Sequence, residues 1–417
     1  MAYIPPHKRH SATGNSPSPA SPPASFSRRF NQSLSLDGPS HPRGRRPPSH
    51  QRCGIMDIAY AAQSTSLWCI AGGCPHPDNF RLEPYPCDAV ELREGYRPLV
   101  LSVAGDPPSV ESEEEELPPW AAIVKGIERD LLSSLINAKS ELAPRIKMSF
   151  VARIGKVFFR GREPSSCLES VRRAAYSGSD IRGKVSKFFN TSLQNEHIQE
   201  FEQLEMAKLG FGFDFDSQKE RYIVKLLNKT LAGSVITCKC KVAEGGSLEI
   251  YKIEQNRLRH LVVDVSCVSK DLDLRLMLYS TEVSKTLDDV GKDGIKRLVS
   301  NAVIDPNVKG GLRWSLGKDS VDGTFSIIEV CHVKYKNFKS QNMRINFRYA
   351  DRIHHKTSFG EVSNEVFFKF PGVSQQLRDE NFEPSSVLAV IQDAVKLIWI
   401  HFLGKNVGVE GEKCKEK

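Results

Sequence analysis

The chain lacks each short catalytic signature whose spacing carries a mechanism. Its 417 residues contain no G-x-S-x-G nucleophile elbow, no G-x-x-x-x-G-K-[ST] phosphate loop, no H-E-x-x-H zinc helix and no strand-G-x-G-x-x-G-helix unit. Hydrolase, P-loop, zincin and dinucleotide-binding chemistries of those types are therefore not expected. Long apolar runs are missing too. A membrane helix needs roughly 18 uninterrupted apolar residues, and the greasiest stretch, Val387 to Leu403, is broken by Gln392, Asp393, Lys396 and His401. It reads as a core helix, and no membrane partner is expected. Nor is there a compact cysteine framework: the ten cysteines are scattered along the chain, as reduced thiols of an intracellular protein are. Pro5, Pro6, Lys8 and Arg9 stand where a secretory signal would need an apolar core. The expected location is cytoplasmic or nuclear; a Ser-rich, acid-poor start makes the chloroplast the alternative.

What is present begins with charge. Fifty-eight Lys and Arg exceed fifty Asp and Glu, a formal net charge of +8, and the excess is uneven. Residues 1–52 hold ten prolines, ten serines, eight Lys or Arg (among them Arg43, Arg45 and Arg46) and one acid, Asp37, so their formal charge is 8 − 1 = +7. Such a segment has too little apolar surface to fold alone and is expected to be a disordered basic tail. Ser16-Pro17, Ser18-Pro19 and Ser21-Pro22 suit proline-directed kinases, whose added charge would weaken any electrostatic grip of the tail. Residues 53–118 read as a loop-rich segment with short strands at Leu67 to Ala71 and Pro98 to Val103, closing on an acidic linker from Glu111 to Glu116. Residues 119–404 read as one globular region, and 405–417 as a disordered C-terminal tail.

Within the globular region, Ile123, Ile127, Leu131, Leu135 and Ile136 recur at three to four residues and predict a helix. Further helices are expected near 166–176, 195–209, 288–301 and 384–403, and strands at 146–154 and 156–160. Four runs alternate with period two: 236–242, 261–267, 272–278 and 343–349, in each of which apolar residues alternate with mostly polar ones. Strands of that pattern with short links predict an α+β fold, a largely antiparallel sheet with one face covered by helices.

Candidate sites are diffuse. Cys69, Cys74, His76 and Cys87 carry zinc-type ligands, but not as two tight pairs, and no metal or other cofactor is expected. Lys208 to Phe215 has the aromatic and glycine content of an RNA-stacking strand, yet Asp214 and Asp216 stand where that strand needs an apolar and an aromatic residue. Gly310-Gly311-Leu312-Arg313-Trp314-Ser315-Leu316-Gly317-Lys318 offers Arg313, Trp314 and Lys318 for an anion or a base. From Ser326 to Lys356 seven cations, including Lys334, Lys336, Arg344 and Arg348, face two acids, Glu329 and Asp351. On alternating strands they are expected to form a basic stripe opposite the apolar face, able to hold phosphates. His332, His354, Asp351 and Arg313 are the residues an enzyme would have to assemble from distant positions.

The opening Met1 to Ser11, MAYIPPHKRHS, resembles the start of a family of uncharacterised plant proteins, and the likeness continues through Asp273 to Leu278, Val308 to Lys318 and Tyr349 to Arg352. It implies a domain of unknown function and no assigned activity. Tyr3 to Arg9 is also similar to the Y-[IV]-P-P-H-x-R segment in tails of certain DEAD-box RNA helicases, which implies peptide docking, although Lys8 and Arg9 replace the Leu and apolar residue that the cap-binding consensus requires. The reading reached from sequence is a non-enzymatic binding or adaptor protein associated with RNA or an RNA–protein complex. The alternatives are a protein-interaction scaffold and an enzyme without recognisable motifs.

Overall fold

In the computed structural model the described residues are 59–71, 80–85, 97–103, 117–144, 146–161, 185–209, 219–230, 234–268, 270–283, 289–340, 343–379 and 381–404. Tyr3, Arg43, Arg45, Arg46, Cys74, His76, Cys87, the acidic linker, the helix expected at 166–176, Phe211 to Phe215 and residues 405–417 all lie outside them.

Fourteen described strands dominate: β1 (Ala59–Ala71), β2 (Phe80–Pro84), β3 (Leu99–Val103), β4 (Ile146–Gly161), β5 (Val185–Asn190), β6 (Lys219–Asn228), β7 (Val235–Val242), β8 (Leu248–Cys267), β9 (Asp273–Val283), β10 (Ala302–Ile304), β11 (Leu312–Trp314), β12 (Phe325–Lys339), β13 (Arg344–His354) and β14 (Phe359–Lys369). The helices are α1 (Pro119–Ser140), α2 (Asn195–Glu200), which runs through a π-helical turn into α3 (Met206–Leu209), α4 (Asp289–Ser300), α5 (Pro371–Gln376) and α6 (Pro384–His401).

The pairing closes on itself. Passing from neighbour to neighbour, β8 meets β7, β6, β12, β13, β14, β4 and β9, and β9 returns to β8, every contact antiparallel. The result is an eight-stranded barrel, the closure that removes sheet edges. Strands β8 and β4 outrun it: the far half of β8 takes β1 in parallel, and the far end of β4 takes β5 and β3, with β2 beyond. Gly155 sits where β5 crosses β4, and a Cβ there would collide with the carbonyl oxygen of Asn190.

This closure overturns the helix-covered α+β expectation: the protein is mainly β. The alternating runs at 236–242, 261–267, 272–278 and 343–349 fall on or overlap strands, but β2, β5, β6 and β14 were not expected, and the second face was misread. Along β9, Leu274, Leu276 and Leu278 are fully buried on the outer wall, where they join Phe150, Phe368, Ile345 and Phe347 under α1, α5 and α6. The alternate residues Arg275, Met277 and Tyr279 face the lumen, not bulk water. A second apolar cluster joins the outer wall of β6 and β7 (Val224, Leu226, Ile236, Cys238, Cys240) to α4 and the β10–β11 hairpin. A third places Trp68 edge-on to Phe159, over Leu82 and Leu99, at the end of β4. In α1 the residues 123, 127, 131 and 135 are buried as expected, whereas Ile136 is 54% exposed. The described cysteines 69, 238, 240, 267 and 331 are free thiols.

Candidate anion site in the barrel lumen

Strand register arranges the lumen in layers. One layer runs Phe367, Arg153, Arg275, Asp264 across β14, β4, β9 and β8, each residue the cross-strand partner of the next. The layer beside it runs Lys369, Val151, Met277, Val262, the last three in mutual apolar contact. In the next, Ser149 partners Tyr279 and Tyr279 partners Arg259. Side chains on directly opposed positions lie about 5 Å apart, and like charges so placed repel. Arg153 opposite Arg275 is thus an arrangement that needs anions nearby.

The chain supplies some. Asp264, 2% exposed, accepts from Arg275 Nε at 2.5 Å and Nη2 at 3.0 Å, and from Lys187 Nζ at 2.5 Å. Glu365, 4% exposed, meets Arg348 at 3.2 Å, Arg352 at 3.6 Å and Arg153 at 3.9 Å, and accepts from the Ser363 hydroxyl at 3.2 Å. Glu329 takes Lys225 at 2.9 Å and Arg352 at 3.3 Å, and Glu254 takes Lys239 at 2.8 Å and Lys252 at 2.6 Å. Burial alone would raise the pKa of Glu365; Arg348, Arg153 and Arg352 outweigh it and hold the group down at about 2. Glu254 is likewise held at about 2 against burial by Lys239 and Lys252.

Cations prevail around one cavity. Arg153, Arg257, Arg259, Arg275, Met277 and Tyr279 line a space of about 60 Å³, several times what one water requires. The guanidinium of Arg257 lies 4.1 Å from the ring centroid of Tyr279, a cation–π distance. Burial lowers the pKa of Arg153 to about 10, with Glu365 resisting and Arg257 and Arg348 adding to the fall. Burial also lowers Lys369, to about 8, against Tyr279 and together with Lys239, Lys147 and Arg257. Tyr279 moves the other way for a buried phenol: burial would raise it, but Arg257, Lys369 and Arg153 bring it below its ordinary value. Burial leads the first two shifts, and the Tyr279 shift, made against burial by neighbouring cations, reports a positive potential. A quarter of the Arg153 side chain is solvent-accessible although protein surrounds it, because the lumen admits water-sized molecules. Its Nε has no hydrogen-bond partner, and neither has that of Arg348.

The residues expected from sequence do not converge. Arg348 lies in the lumen on Glu365, and exposed Arg344 shares its strand face at the barrel end, opposite Lys369. Lys334 and Lys336 are on the outer wall of β12, both exposed, Lys336 bonded to Glu202 at 2.6 Å. Arg313 is exposed on β11, 3.5 Å from Asp305. Trp314 is buried and donates to the Leu298 carbonyl at 2.9 Å, and Lys318 lies 3.1 Å from His355 Nδ1. Gly310 has φ +76°, and a Cβ there would come within 2.9 Å of Ile353, so the double glycine serves a packed turn. His354 closes β13 within 3.3 Å of the Thr357 hydroxyl, His355 lies in the turn beyond it, Asp351 accepts from the Gly310 amide at 3.2 Å, and His332 is stacked on Tyr222 and bonded to Glu220. Arg153, Arg257, Arg259, Arg275 and Tyr279 were not singled out from sequence. Their signal was a "polar" face that also holds Val151, Val262 and Met277, a mixture unsuited to open solvent.

Taken together, fold and site define a closed antiparallel β-barrel protein with an arginine-rich lumen. The chain belongs to the family described as a domain of unknown function, DUF7903, whose model matches residues 53–402. No curated protein matches it in sequence. Among solved structures it is similar to the S. pombe Pct1 RNA triphosphatase, at 11% identity over 72% of this chain and 100% of that one with a TM-score of 0.41. The Mimivirus capping enzyme triphosphatase follows at 9%, covering 66% of this chain and 97% of that one, TM-score 0.31. A putative adenylate cyclase from Bacillus halodurans matches at 10% over 53% of this chain and 91% of that one, TM-score 0.22. At these values the chemistry has to be argued from this chain's own residues. No helix among the described residues is long and apolar enough to cross a membrane.

Proposed function

We propose that this protein is a non-enzymatic binding protein that takes a phosphate-bearing end of RNA into its barrel lumen. The observation that carries this reading is the set of four guanidiniums, from Arg153, Arg257, Arg259 and Arg275, around one cavity. Guanidinium forks match phosphate oxygens in geometry and charge. Four lumen carboxylates, Asp264, Glu254, Glu329 and Glu365, are each committed to two or more cations, which leaves them poorly placed to hold a catalytic metal or act as a base. RNA is favoured over a small anion by the +7 charge of residues 1–52, a sequence-independent attraction for a long polyanion.

Crosslinking of the tagged protein to RNA in its own cells tests the proposal, with two variants beside wild type. Arg153→Gln with Arg257→Gln empties the cavity of two cations; Lys334→Gln with Lys336→Gln alters only the outer wall. Loss of crosslinks in the first variant alone supports the lumen. Loss in the second alone moves the RNA surface to the outside of β12, and a wild type that never crosslinks removes RNA and leaves the scaffold reading.

A further inference from the structure

Of the cations around the cavity, Arg153 has a distinctive set of neighbours. Across β9 it faces Arg275, and across β14 it faces the ring of Phe367, whose centroid lies 5.9 Å from the guanidinium carbon. Its ion pair with Glu365 is the longest of the three made by that carboxylate, 3.9 Å against 3.2 and 3.6 Å. Glu365 would keep Arg348, Arg352 and Ser363 if Arg153 turned away. Arg275, by contrast, is held to Asp264 by two hydrogen bonds, of 2.5 and 3.0 Å. One of two opposed arginines is therefore locked to its own anion, and the other is loosely shared.

Resting on the lumen reading above, we infer that Glu365 is a built-in counter-anion that competes with the ligand for Arg153, and that it thereby makes the lumen selective for multiply charged anions over singly charged ones. A ligand of low charge offers Arg153 little that Glu365 does not already provide. An oligophosphate can engage Arg153 while its remaining charge meets Arg257 and Arg259 in the same cavity, so it outweighs one carboxylate. The low pKa of Glu365 keeps the competitor charged through the neutral range, and neutral pH does not relieve the competition.

Titration calorimetry of the full chain with inorganic orthophosphate, pyrophosphate and tripolyphosphate, for wild type and Glu365→Gln, tests this. The expected result is a steep rise of affinity with charge in wild type. In Glu365→Gln, pyrophosphate should bind about tenfold tighter, the scale of one charge-assisted hydrogen bond, and the tripolyphosphate-to-pyrophosphate ratio should fall. Since losing one buried partner can unfold a protein, Glu365→Gln with Arg348→Met, which keeps the net charge, is measured alongside it. An unchanged ratio in both variants while wild type binds overturns the inference and leaves the lumen reading standing. No binding of any phosphate by wild type or variants overturns both.

Discussion

The two faces of the same strands obey different physics. On the outer wall of β13 and β14, Ile345, Val366 and Phe368 are buried against helices and held by apolar burial alone. On the lumen face of those strands Arg348 and Arg352 form ion pairs with Glu365, which also accepts a hydrogen bond from Ser363. Apolar contact is nondirectional and insensitive to pH; a lattice of charges in a partly wet channel depends on each partner and on protonation. One backbone register thus carries a stability layer outside and a recognition layer inside. Every alternate residue must satisfy one or the other.

The largest expected effect comes from the outer face. Phe368→Ala, at a fully buried position edge-on to Phe402 and in the main core cluster, should cost about 3–5 kcal/mol in urea unfolding, with no change in the dependence of stability on pH. If the loss were below about 1 kcal/mol, the outer wall would not be the principal core.

Next comes acid. The folded pKa values of Glu365 and Glu254 are about 2, against an ordinary value of 4.5. A depressed carboxylate stabilises the fold above its unfolded pKa, and that stability is lost as pH falls through the folded value. The contribution of these two carboxylates should therefore be level from pH 7 to about pH 5 and then fall by a few kcal/mol in total towards pH 2, added to the earlier fall that His355, lowered by burial to about 4, brings below its ordinary value of 6.5. Thermal melting across that range checks it. A double variant with both glutamates replaced by Gln should start lower and flatten the curve; an equally steep fall would show that the lattice does not govern acid stability.

Much of the scaffold was legible because its rules are local. Alternation at Leu274, Leu276 and Leu278 fixes a strand and its buried face without knowledge of any neighbour, and so do Ile123, Ile127, Leu131 and Leu135 for α1. Closure is not local: that β9 meets β4, more than a hundred residues earlier, is written in no short window. Without it the face bearing Arg275 and Tyr279 looks like a solvated surface. The basic stripe failed to assemble for the same reason of parity. Counting from the apolar residues, Phe338 faces the outer core and Lys334 and Lys336 share its face, whereas Arg344 and Arg348 lie opposite Ile345 and Phe347. A list of cations ordered by sequence mixes the two walls; only register sorts them.

The smallest effect sharpens the contrast from outside the barrel. Lys336 is half-exposed on the outer wall, 2.6 Å from Glu202 in the π-helical turn between α2 and α3. Its charge is one of the seven between Ser326 and Lys356, indistinguishable by sequence from Arg348. Yet water screens it, and an exposed pair of this kind contributes about 0–1 kcal/mol. Lys336→Gln should shift stability by less than about 1 kcal/mol, and that small shift should shrink further in high salt. Arg348→Gln, by contrast, strips Glu365 of its nearest cation in the interior and should cost several times more with weaker dependence on salt. If the two substitutions had equal effects, side of the wall would not be what separates a structural charge from a solvated one.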